Sequence, residues 1–362
     1  MKIAFIGTYP PRECGIGTFT NNLLDSVLQT KKAEKGNFEA FVVAVNDHDL
    51  SYNYPPEVKL HIRQEHQRDY LRAAKYINLS GADICILQHE FGIYGGQNGI
   101  YILPLLHRLE IAIVVTLHTI LKTPSYNEKA ILQEIGKMAQ KIVVMSLKAI
   151  EFLVDIYEVP REKIALIEHG VPDIKFSSAK SKEEFKLETK KVLLTFGFIG
   201  RNKGIETVIN ALPEVIQRHP DVVYIILGKT HPNVLRHSGE EYRIFLMRLV
   251  KKLQLENKVL FLNQFIDVKD LFKYLAATDI YITPYLNESQ ITSGTLSYAV
   301  GVGAAVVSTP YWHAAELLAD GRGRLFDFGN TRQLSSTINE LLDHPAELNN
   351  LKKIAFEYGK NF

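Results

Sequence analysis

Two cations stand close together in a glycine-rich stretch in the middle of the chain. Arg201 and Lys203 lie in the segment FGFIGRNKG, which begins at Phe196. A guanidinium can bind two phosphate oxygens, and an ammonium acts as a mobile point charge. The alternative is a solvated turn, but the flanking glycines would let backbone approach a ligand and favour a phosphate site. We therefore predict that Gly200, Arg201 and Lys203 hold a diphosphate leaving group.

A second polar segment, YLNESQITSGTL from Tyr285, precedes an apolar stretch that suits a helix. Thr292 and Ser293 are candidate caps, and the N–H groups beyond them would form an anion site. A pyrophosphate bound there would face Arg201 and Lys203. A capped helix without a ligand is the alternative. The donor-binding candidates in this segment are Glu288, Gln290, Thr292, Ser293, Gly294 and Thr295.

Glycines also stand near the amino terminus, in the sequence Gly15-Ile16-Gly17-Thr18. This sequence follows an apolar run and opens a helical pattern, where exposed N–H groups favour anions or polar sugar hydroxyls. The third glycine of a dinucleotide-binding fingerprint is absent. Gly15 and Gly17 are predicted to bind the same ligand, and a tight turn before a helix is the equally open alternative.

Histidines and one glutamate supply candidates for a second substrate. His89 and Glu90 follow a predicted strand and precede several glycines, so we expect them to line a cleft. Glu90 could orient an acceptor hydroxyl, although a structural polar cluster is an alternative. His89, His118 and His169 lack metal-ligand spacing, and no metal site is predicted. The single tryptophan, in Pro310-Tyr311-Trp312-His313, could stack on a base or sugar, but core packing is its commoner use.

Composition narrows the class of protein. The 362 residues carry 42 basic and 40 acidic side chains, a formal charge of +2, which argues against a nucleic-acid partner. Only two cysteines occur, Cys14 and Cys85, which suits a reducing, cytoplasmic location. The sequence has no apolar stretch as long as a membrane span. Attachment to a membrane surface stays open.

The positions of the apolar runs predict an α/β protein. Short buried strands alternate with amphipathic helices, which is typical of parallel sheets covered on both faces. A lysine-rich segment, residues 175–190, interrupts this pattern and is typical of a linker. It predicts two Rossmann-like, doubly wound domains, residues 1–172 and 173–362. A single larger domain is the alternative. The ending at Phe362, without a polar tail, suggests that the chain belongs to a slightly longer protein. The predicted strands cover residues 2–7, 40–45, 84–88, 112–117, 141–145, 164–167, 191–196, 222–227, 259–262, 280–282, 305–308 and 323–326.

These motifs together resemble the retaining family 4 glycosyltransferases, over nearly the whole chain. The resemblance rests on the Gly200–Glu206 turn, Ser293-Gly294-Thr295, the GAAVVS segment from Gly303, and Glu316 before Asp320-Gly321. Gly15-Ile16-Gly17, Thr116-Leu117-His118-Thr119 and His169-Gly170-Val171 match the expected amino-terminal loops. The resemblance implies a GT-B fold, with two domains facing a cleft.

The resemblance also implies roles for the candidate residues. Arg201 and Lys203 would hold the diphosphate of a nucleotide sugar of the GDP-mannose or UDP-glucose type, with Gly17 close to it. His118 would face the sugar, and the first domain would bind a saccharide or glycoconjugate acceptor. No tightly bound cofactor or metal is implied. The catalytic candidates are His118, Arg201, Lys203 and Gln290, and the acceptor-binding candidates are His89, Glu90 and His118.

One departure from the family pattern concerns a pair of glutamates separated by seven residues. Their positions fall on Gln290 and Tyr298, and the second glutamate usually holds the ribose. Tyr298 is therefore a donor-binding candidate of a different chemistry. The predicted activity is hexose transfer with retention of configuration. A noncatalytic nucleotide-sugar-binding partner, a sugar-nucleotide epimerase and a phosphorylase on the same architecture are the alternatives.

Overall fold

The computed structural model describes residues 1–33, 38–47, 52–173 and 176–361. The chain divides into two compact units, Met1–Glu168 and His169–Phe362. Each unit is built around one parallel sheet with helices on its faces. The α/β class predicted from alternating apolar runs is confirmed. The functional roles assigned to residues 1–172 and 173–362 stay predictions.

In the described part of the first unit, seven parallel strands form a sheet in the order β3-β2-β1-β4-β5-β6-β7. The strands are β1 (Lys2–Gly7), β2 (Glu39–Asn46), β3 (Val58–Arg63), β4 (Ile84–His89), β5 (Ala112–Leu117), β6 (Lys141–Val144) and β7 (Ile164–Leu166). The helices are α1 (Gly15–Ala33), α2 (Gln67–Leu79), α3 (Ile102–Leu106), α4 (Tyr126–Met138) and α5 (Leu147–Asp155). Because parallel strands need crossover connections, the helices return the chain to the amino end of the sheet.

In the described part of the second unit, six parallel strands follow the order β10-β9-β8-β11-β12-β13. The strands are β8 (Lys191–Phe196), β9 (Val222–Leu227), β10 (Val259–Leu262), β11 (Ile280–Thr283), β12 (Ala305–Ser308) and β13 (Arg324–Leu325). The helices are α6 (Ser178–Glu184), α7 (Ile205–Arg218), α8 (Pro232–Ser238), α9 (Glu241–Lys252), α10 (Val268–Ala277), α11 (Gly294–Gly301), α12 (Trp312–Leu317), α13 (Thr331–Asp343) and α14 (Pro345–Gly359).

Apolar side chains fill both faces of the second sheet. Every residue of β9, with the sequence VVYIIL, is buried, as expected of a central parallel strand covered on both sides. Its side chains alternate between two core clusters, with Tyr224 in one and Ile225 in the other. The sheet is therefore a rigid platform for the loops at its carboxyl edge.

Part of the segment expected to be a linker is helical. α6 lies within residues 175–190, and its Lys182 forms an ion pair with Asp279, at 2.7 Å from Nζ to Oδ2. Lys175 lies outside the described residues. In the part of the chain that the structure describes, no helix is long and apolar enough to cross a lipid bilayer.

Candidate active site

The predicted diphosphate segments meet at one edge of the second sheet. In a doubly wound sheet, the connections from the two strands at the point where the order reverses pass to opposite faces and leave a crevice at their carboxyl ends. In the second unit these strands are β8 and β11. The Arg201 turn follows β8, and the loop that ends at Ser293 follows β11. Both segments therefore leave the sheet beside this crevice.

Gly204 lets the turn that carries Arg201 and Lys203 pack closely against the loop after β11. Gly204 has a φ of +59°, and a Cβ atom there would lie 2.2 Å from the carbonyl oxygen of Pro284. The N–H of Leu286 donates to the carbonyl of Asn202 at 3.0 Å. A side chain at Gly204 would be strained and would clash, so the turn and the loop form one unit.

Lys203 lies against the aromatic ring of Tyr285. Its Nζ is 3.8 Å from the ring centroid, and the described residues place no carboxylate in an ion pair with it. The Tyr285 hydroxyl lies 3.2 Å from Thr295 Oγ1 in the first turn of α11. Burial opposes ionisation of Tyr285, but the Lys203 ammonium and neighbouring hydroxyls outweigh burial and lower the pKa of this phenol. Tyr285 thus connects Lys203 to the start of α11.

The first turn of α11 contains backbone donors that have no acceptor among the described residues. Ser293 caps the helix, and its Oγ accepts from the N–H of Leu296 at 3.3 Å. The N–H of Ser293 donates to Nδ1 of His313 at 2.9 Å. Within the described residues, the N–H groups of Gly294 and Thr295 have no acceptor. Together with Lys203 they form a site suited to a phosphate.

Arg201 makes different contacts from Lys203. Its guanidinium forms an ion pair with Glu241 on α9 and lies over the rings of Tyr242 and Phe245, at 5.7 and 5.8 Å. Its side chain is 60% exposed. The two predicted phosphate ligands therefore have separate partners in this structure, and Arg201 would exchange Glu241 for a phosphate.

The loop before α11 uses much of its polar capacity internally. Gln290 Nε2 donates to the carbonyl of Thr292 at 2.6 Å, and the Gln290 carbonyl accepts from the N–H of His313 at 3.1 Å. Glu288 is exposed, and its carbonyl accepts from Trp312. Thr292 Oγ1 is buried and has no partner within the described residues. Gln290 consequently shapes this loop, whatever contact it makes with a ligand.

His169 accounts for two residues that were predicted to bind the donor. Tyr298 is only 8% exposed, and its ring meets the rings of His169 and Phe272 edge-on. A Cβ atom on Gly294 would lie 2.8 Å from His169 Nε2. The His169 ring thus occupies the space beside the Gly294 Cα. This contact is a packing reason for glycine at position 294, and the N–H of Gly294 has no acceptor among the described residues.

Two acceptor candidates of the first unit lie at the carboxyl ends of β4 and β5, beside the point between β1 and β4 where the strand order reverses. His118 Nε2 lies 2.9 Å from Gln88 Oε1, and the His118 N–H donates to the carbonyl of His89 at 3.0 Å. Glu90 accepts a hydrogen bond from the Thr119 hydroxyl. Burial raises the pKa of Glu90, although the bond from Thr119 opposes this rise. Half-buried His118 and Glu90 therefore lie on adjacent strand ends.

The structure places His89 differently from the sequence prediction. Its side chain is fully buried, with its ring stacked on Tyr94 and edge-on to Phe91. Neither ring nitrogen has a partner among the described residues, and burial lowers the pKa of His89 to about 3. A neutral, buried ring offers no surface to an acceptor, so this placement argues against the predicted acceptor role.

Gly15 and Gly17 lie in the first turn of α1. A Cβ atom on Gly15 would meet no atom within 4 Å, and one on Gly17 would lie 3.4 Å from the Tyr9 nitrogen, an ordinary contact. Protein packing therefore does not require glycine at either position. Their donor-binding role stays a prediction.

Sequence reasoning missed an aromatic cluster at the same sheet edge as Lys203. Phe198 stacks on Phe265, with centroids 5.6 Å apart, and meets the ring of His231 edge-on at 5.2 Å. The available signal was the sequence Lys229-Thr230-His231-Pro232, which begins two residues after the end of β9. Burial, and then Lys203, lowers the pKa of His231. Among the described residues, no group of three or more His, Cys, Asp or Glu could hold a metal ion.

The architecture is shared with solved structures. The chain is similar to sucrose-phosphate synthase from Thermosynechococcus elongatus, with a TM-score of 0.77 at 17% identity, covering 100% of this chain and 94% of that one. It is also similar to the Anabaena HepE protein in complex with UDP-glucose, with a TM-score of 0.67 at 17% identity, covering 100% and 95%. These likenesses show the GT-B fold.

Sequence comparison gives the family. The chain is 28% identical, over 253 residues, to an uncharacterized glycosyltransferase of Methanocaldococcus jannaschii, which covers 67% of this chain and 58% of that protein. It spans about half the length of the curated relatives that it matches. Residues 177–358, half of the chain, match the family described as glycosyl transferases group 1. This chain therefore belongs to the glycosyl transferases group 1 family.

Proposed function

We propose that this protein transfers a hexose from a nucleoside diphosphate sugar to a hydroxyl group of a saccharide or glycoconjugate, with retention of the anomeric configuration. One observation carries the proposal. An ammonium and two backbone N–H groups lie together at the carboxyl edge of the second sheet. Lys203 supplies the ammonium, and Gly294 and Thr295 supply the N–H groups, which have no acceptor among the described residues. These groups match the charge and acceptor oxygens of a diphosphate.

In the proposed reaction, the bond between the sugar C1 and the diphosphate oxygen breaks while negative charge grows on the diphosphate. Lys203 and the N–H groups of Gly294 and Thr295 stabilise that charge, and Arg201 joins them after leaving Glu241. The acceptor oxygen bonds to C1 on the face that the leaving group departs, and its proton passes to the departing phosphate oxygen. No protein nucleophile takes part. Fixed donors of this kind stabilise a transition state because they need no reorganisation.

The same edge of the second sheet provides a place for the base. Phe198 and Phe265 offer aromatic faces, and Phe265 is 40% exposed. A planar base could stack on such a face. Because the similarly folded HepE protein was solved with UDP-glucose, a UDP-sugar is the first donor to test, with GDP-mannose as the second.

We assign acceptor recognition to the first unit. His118 and Glu90 project at neighbouring strand ends, and the Glu90 carboxylate can accept a hydrogen bond from a sugar hydroxyl. Cys14 and Cys85 form no disulfide, which supports the proposed cytoplasmic location.

The experiment is a screen of nucleotide sugars by thermal shift, because a ligand that binds the native state raises the melting temperature. Donors that bind are then incubated with a panel of simple glycosides, and the anomeric configuration of each product is assigned by NMR. Transfer with retention from one donor supports the proposal. Inversion of configuration would overturn the retaining mechanism, and the absence of binding by every nucleotide sugar would overturn the function.

A noncatalytic nucleotide-sugar-binding role is the second candidate. It is favoured by Gln290, which stands where the family has a glutamate and bonds its own loop at Thr292. Hydrolysis of the donor in the absence of an acceptor separates the two. An enzyme releases free sugar slowly from a bound donor, whereas a binding protein leaves it intact.

A further inference from the structure

Three hydrogen bonds join the start of α12 to the loop that leads into α11. The N–H of Trp312 donates to the carbonyl of Glu288 at 3.0 Å, and the N–H of His313 donates to the carbonyl of Gln290 at 3.1 Å. The third bond uses a side chain, because Nδ1 of His313 accepts from the N–H of Ser293 at 2.9 Å. His313 therefore holds this loop at two points, and one of them depends on its imidazole.

The buried imidazole of His313 is suited to accept that bond. Its side chain is 2% exposed. Burial, and then the neighbouring His169, lowers the pKa of His313 to about 3, so the ring is neutral at physiological pH. A neutral imidazole has one bare nitrogen, and the donor from Ser293 identifies it as Nδ1. Nδ1 can therefore accept the bond from Ser293 at physiological pH.

This bond helps to fix the residue that caps α11. With the Ser293 N–H bonded to His313, the Ser293 Oγ bonded to Leu296 and the Ser293 carbonyl bonded to Ser297, the capping residue is fixed on three sides. The next two N–H groups, of Gly294 and Thr295, are the first without an acceptor in the described residues. A shift of Ser293 would move both.

We propose that His313 is a positioning residue for the donor diphosphate. It contacts neither donor nor acceptor, and it acts by fixing Ser293 so that the N–H groups of Gly294 and Thr295 point at the diphosphate beside Lys203. The proposal rests on the proposed function in that it takes the bound group to be a nucleoside diphosphate. It adds a specific requirement, a hydrogen-bond acceptor at the Nδ1 position of residue 313.

Three substitutions in the full chain test that requirement. His313→Asn places an amide oxygen on Cγ, where the histidine carries Nδ1. His313→Gln places its oxygen one bond further out, at the distance of Nε2. His313→Leu removes the acceptor and puts an apolar side chain of similar size in its place. His219→Leu is the matched control, because His219 lies just before β9, at the opposite edge of the same sheet, 3.4 Å from Asp343.

The first measurement is amide hydrogen exchange at Ser293, which needs no ligand. We expect the His313→Leu and His313→Gln proteins to exchange this amide at least about tenfold faster than the wild type, since a buried N–H would lose its acceptor. The His313→Asn and His219→Leu proteins should exchange it at the wild-type rate. Equal exchange in the wild type and in His313→Leu would overturn the inference.

The second measurement is calorimetric titration with UDP and with GDP. We expect His313→Leu and His313→Gln to bind the nucleotide about tenfold more weakly, and His313→Asn to bind within about twofold of the wild type. In transfer assays, the donor KM should rise while the acceptor KM stays constant. Equal weakening in the asparagine and leucine variants would show a structural role only and overturn the inference. If the wild type binds neither nucleotide nor any nucleotide sugar of the thermal-shift screen, the proposed function fails, while the exchange of Ser293 still decides the role of His313.

Discussion

The ammonium of Lys203 lies 3.8 Å from the centroid of the Tyr285 ring, and the hydroxyl of that ring lies 3.2 Å from Thr295 Oγ1. A cation over a ring face is attracted by the ring quadrupole, which holds Lys203 in place without using a carboxylate. Its charge therefore remains available to an anionic ligand. The contact links a turn after β8 to the first turn of α11, where the N–H groups of Gly294 and Thr295 have no acceptor among the described residues.

We expect Lys203→Ala and Arg201→Ala each to lower turnover at least about tenfold. Loss of a charge-assisted phosphate contact costs about 2–4 kcal/mol of transition-state stabilisation, and about 1.4 kcal/mol is one decade in rate. Lys203→Ala should be the more damaging change, because Arg201 must first leave Glu241. The measurement is steady-state kinetics with the donor identified by thermal shift.

A control is available in the same unit. Lys251→Ala removes an exposed lysine of α9 and should leave kinetics and melting temperature unchanged. Unchanged kinetics in both the Lys203 and Arg201 variants, with intact melting curves, would remove the phosphate site from this edge of the sheet.

The sequence was most informative where one structural rule acted alone. Continuous apolar runs such as Val222–Leu227 indicate central parallel strands, and the bounds of this strand agree with the prediction. β3 was missed because it lies at the sheet edge, where VKLHIR alternates exposed and covered residues after two prolines. α6 was missed because its polar sequence SAKSKEE gives no apolar periodicity, and its ion pair from Lys182 to Asp279 joins distant segments of the chain.

The candidate site was only partly predictable, for a similar reason. Lys203 and Ser293 carry local signals, glycines beside a cation and a cap before an apolar helix. The roles of Tyr285, His169 and His313 depend on contacts between distant segments, which no local pattern reports. His89 shows the reverse error, because a histidine beside glycines at a strand end suggested a ligand-binding position, while its ring turned inward against Tyr94.

Sugar transfer should survive a chelator. The described residues contain no group of three or more His, Cys, Asp or Glu that could hold a metal, whereas Lys203 and the N–H groups of α11 can supply charge to a diphosphate. We expect turnover after prolonged EDTA treatment to stay within about twofold of the untreated enzyme. Loss of transfer on EDTA treatment, with recovery on adding a divalent ion, would contradict the metal-independent mechanism.

Replacing His89 should change how stability depends on pH. Burial lowers the pKa of His89 to about 3, below the ordinary unfolded value of about 6.5. The unfolded chain therefore binds a proton that the folded chain does not bind, and stability falls as the pH drops from about 6.5 toward the folded pKa, by about 1.4 kcal/mol per pH unit. His89→Leu should remove the contribution of this one residue to the slope, and it should leave stability at pH 7 equal or higher, because two nitrogens without a partner among the described residues are lost.

Thermal melts between about pH 7 and pH 4, within the window set by the two pKa values, measure this effect. The melting temperature of the wild type should fall further over that range than the melting temperature of His89→Leu. His61→Leu, at an exposed position on β3, should follow the wild type. Parallel curves for the wild type and His89→Leu would show that His89 binds its proton equally in the folded and unfolded states, which would contradict the lowered pKa.

The last prediction separates two reasons for glycine at position 294. A Cβ atom there would lie 2.8 Å from His169 Nε2, and His169 is itself held by its contact with Tyr298 and by Nδ1, 2.9 Å from the Gly170 carbonyl oxygen. Because this ring cannot move away freely, Gly294→Ala should destabilise the protein by about 1–3 kcal/mol, the usual range for overpacking.

A second substitution, His169→Ala in the same chain, would open the space beside Gly294. If packing is the reason, the double variant should recover most of the affinity for UDP or GDP that Gly294→Ala loses, and the two changes should be non-additive in denaturant unfolding. If the bare Cα instead admits a phosphate, nucleotide affinity should stay low in the double variant although its stability recovers. Wild-type stability and wild-type affinity in Gly294→Ala would contradict both reasons.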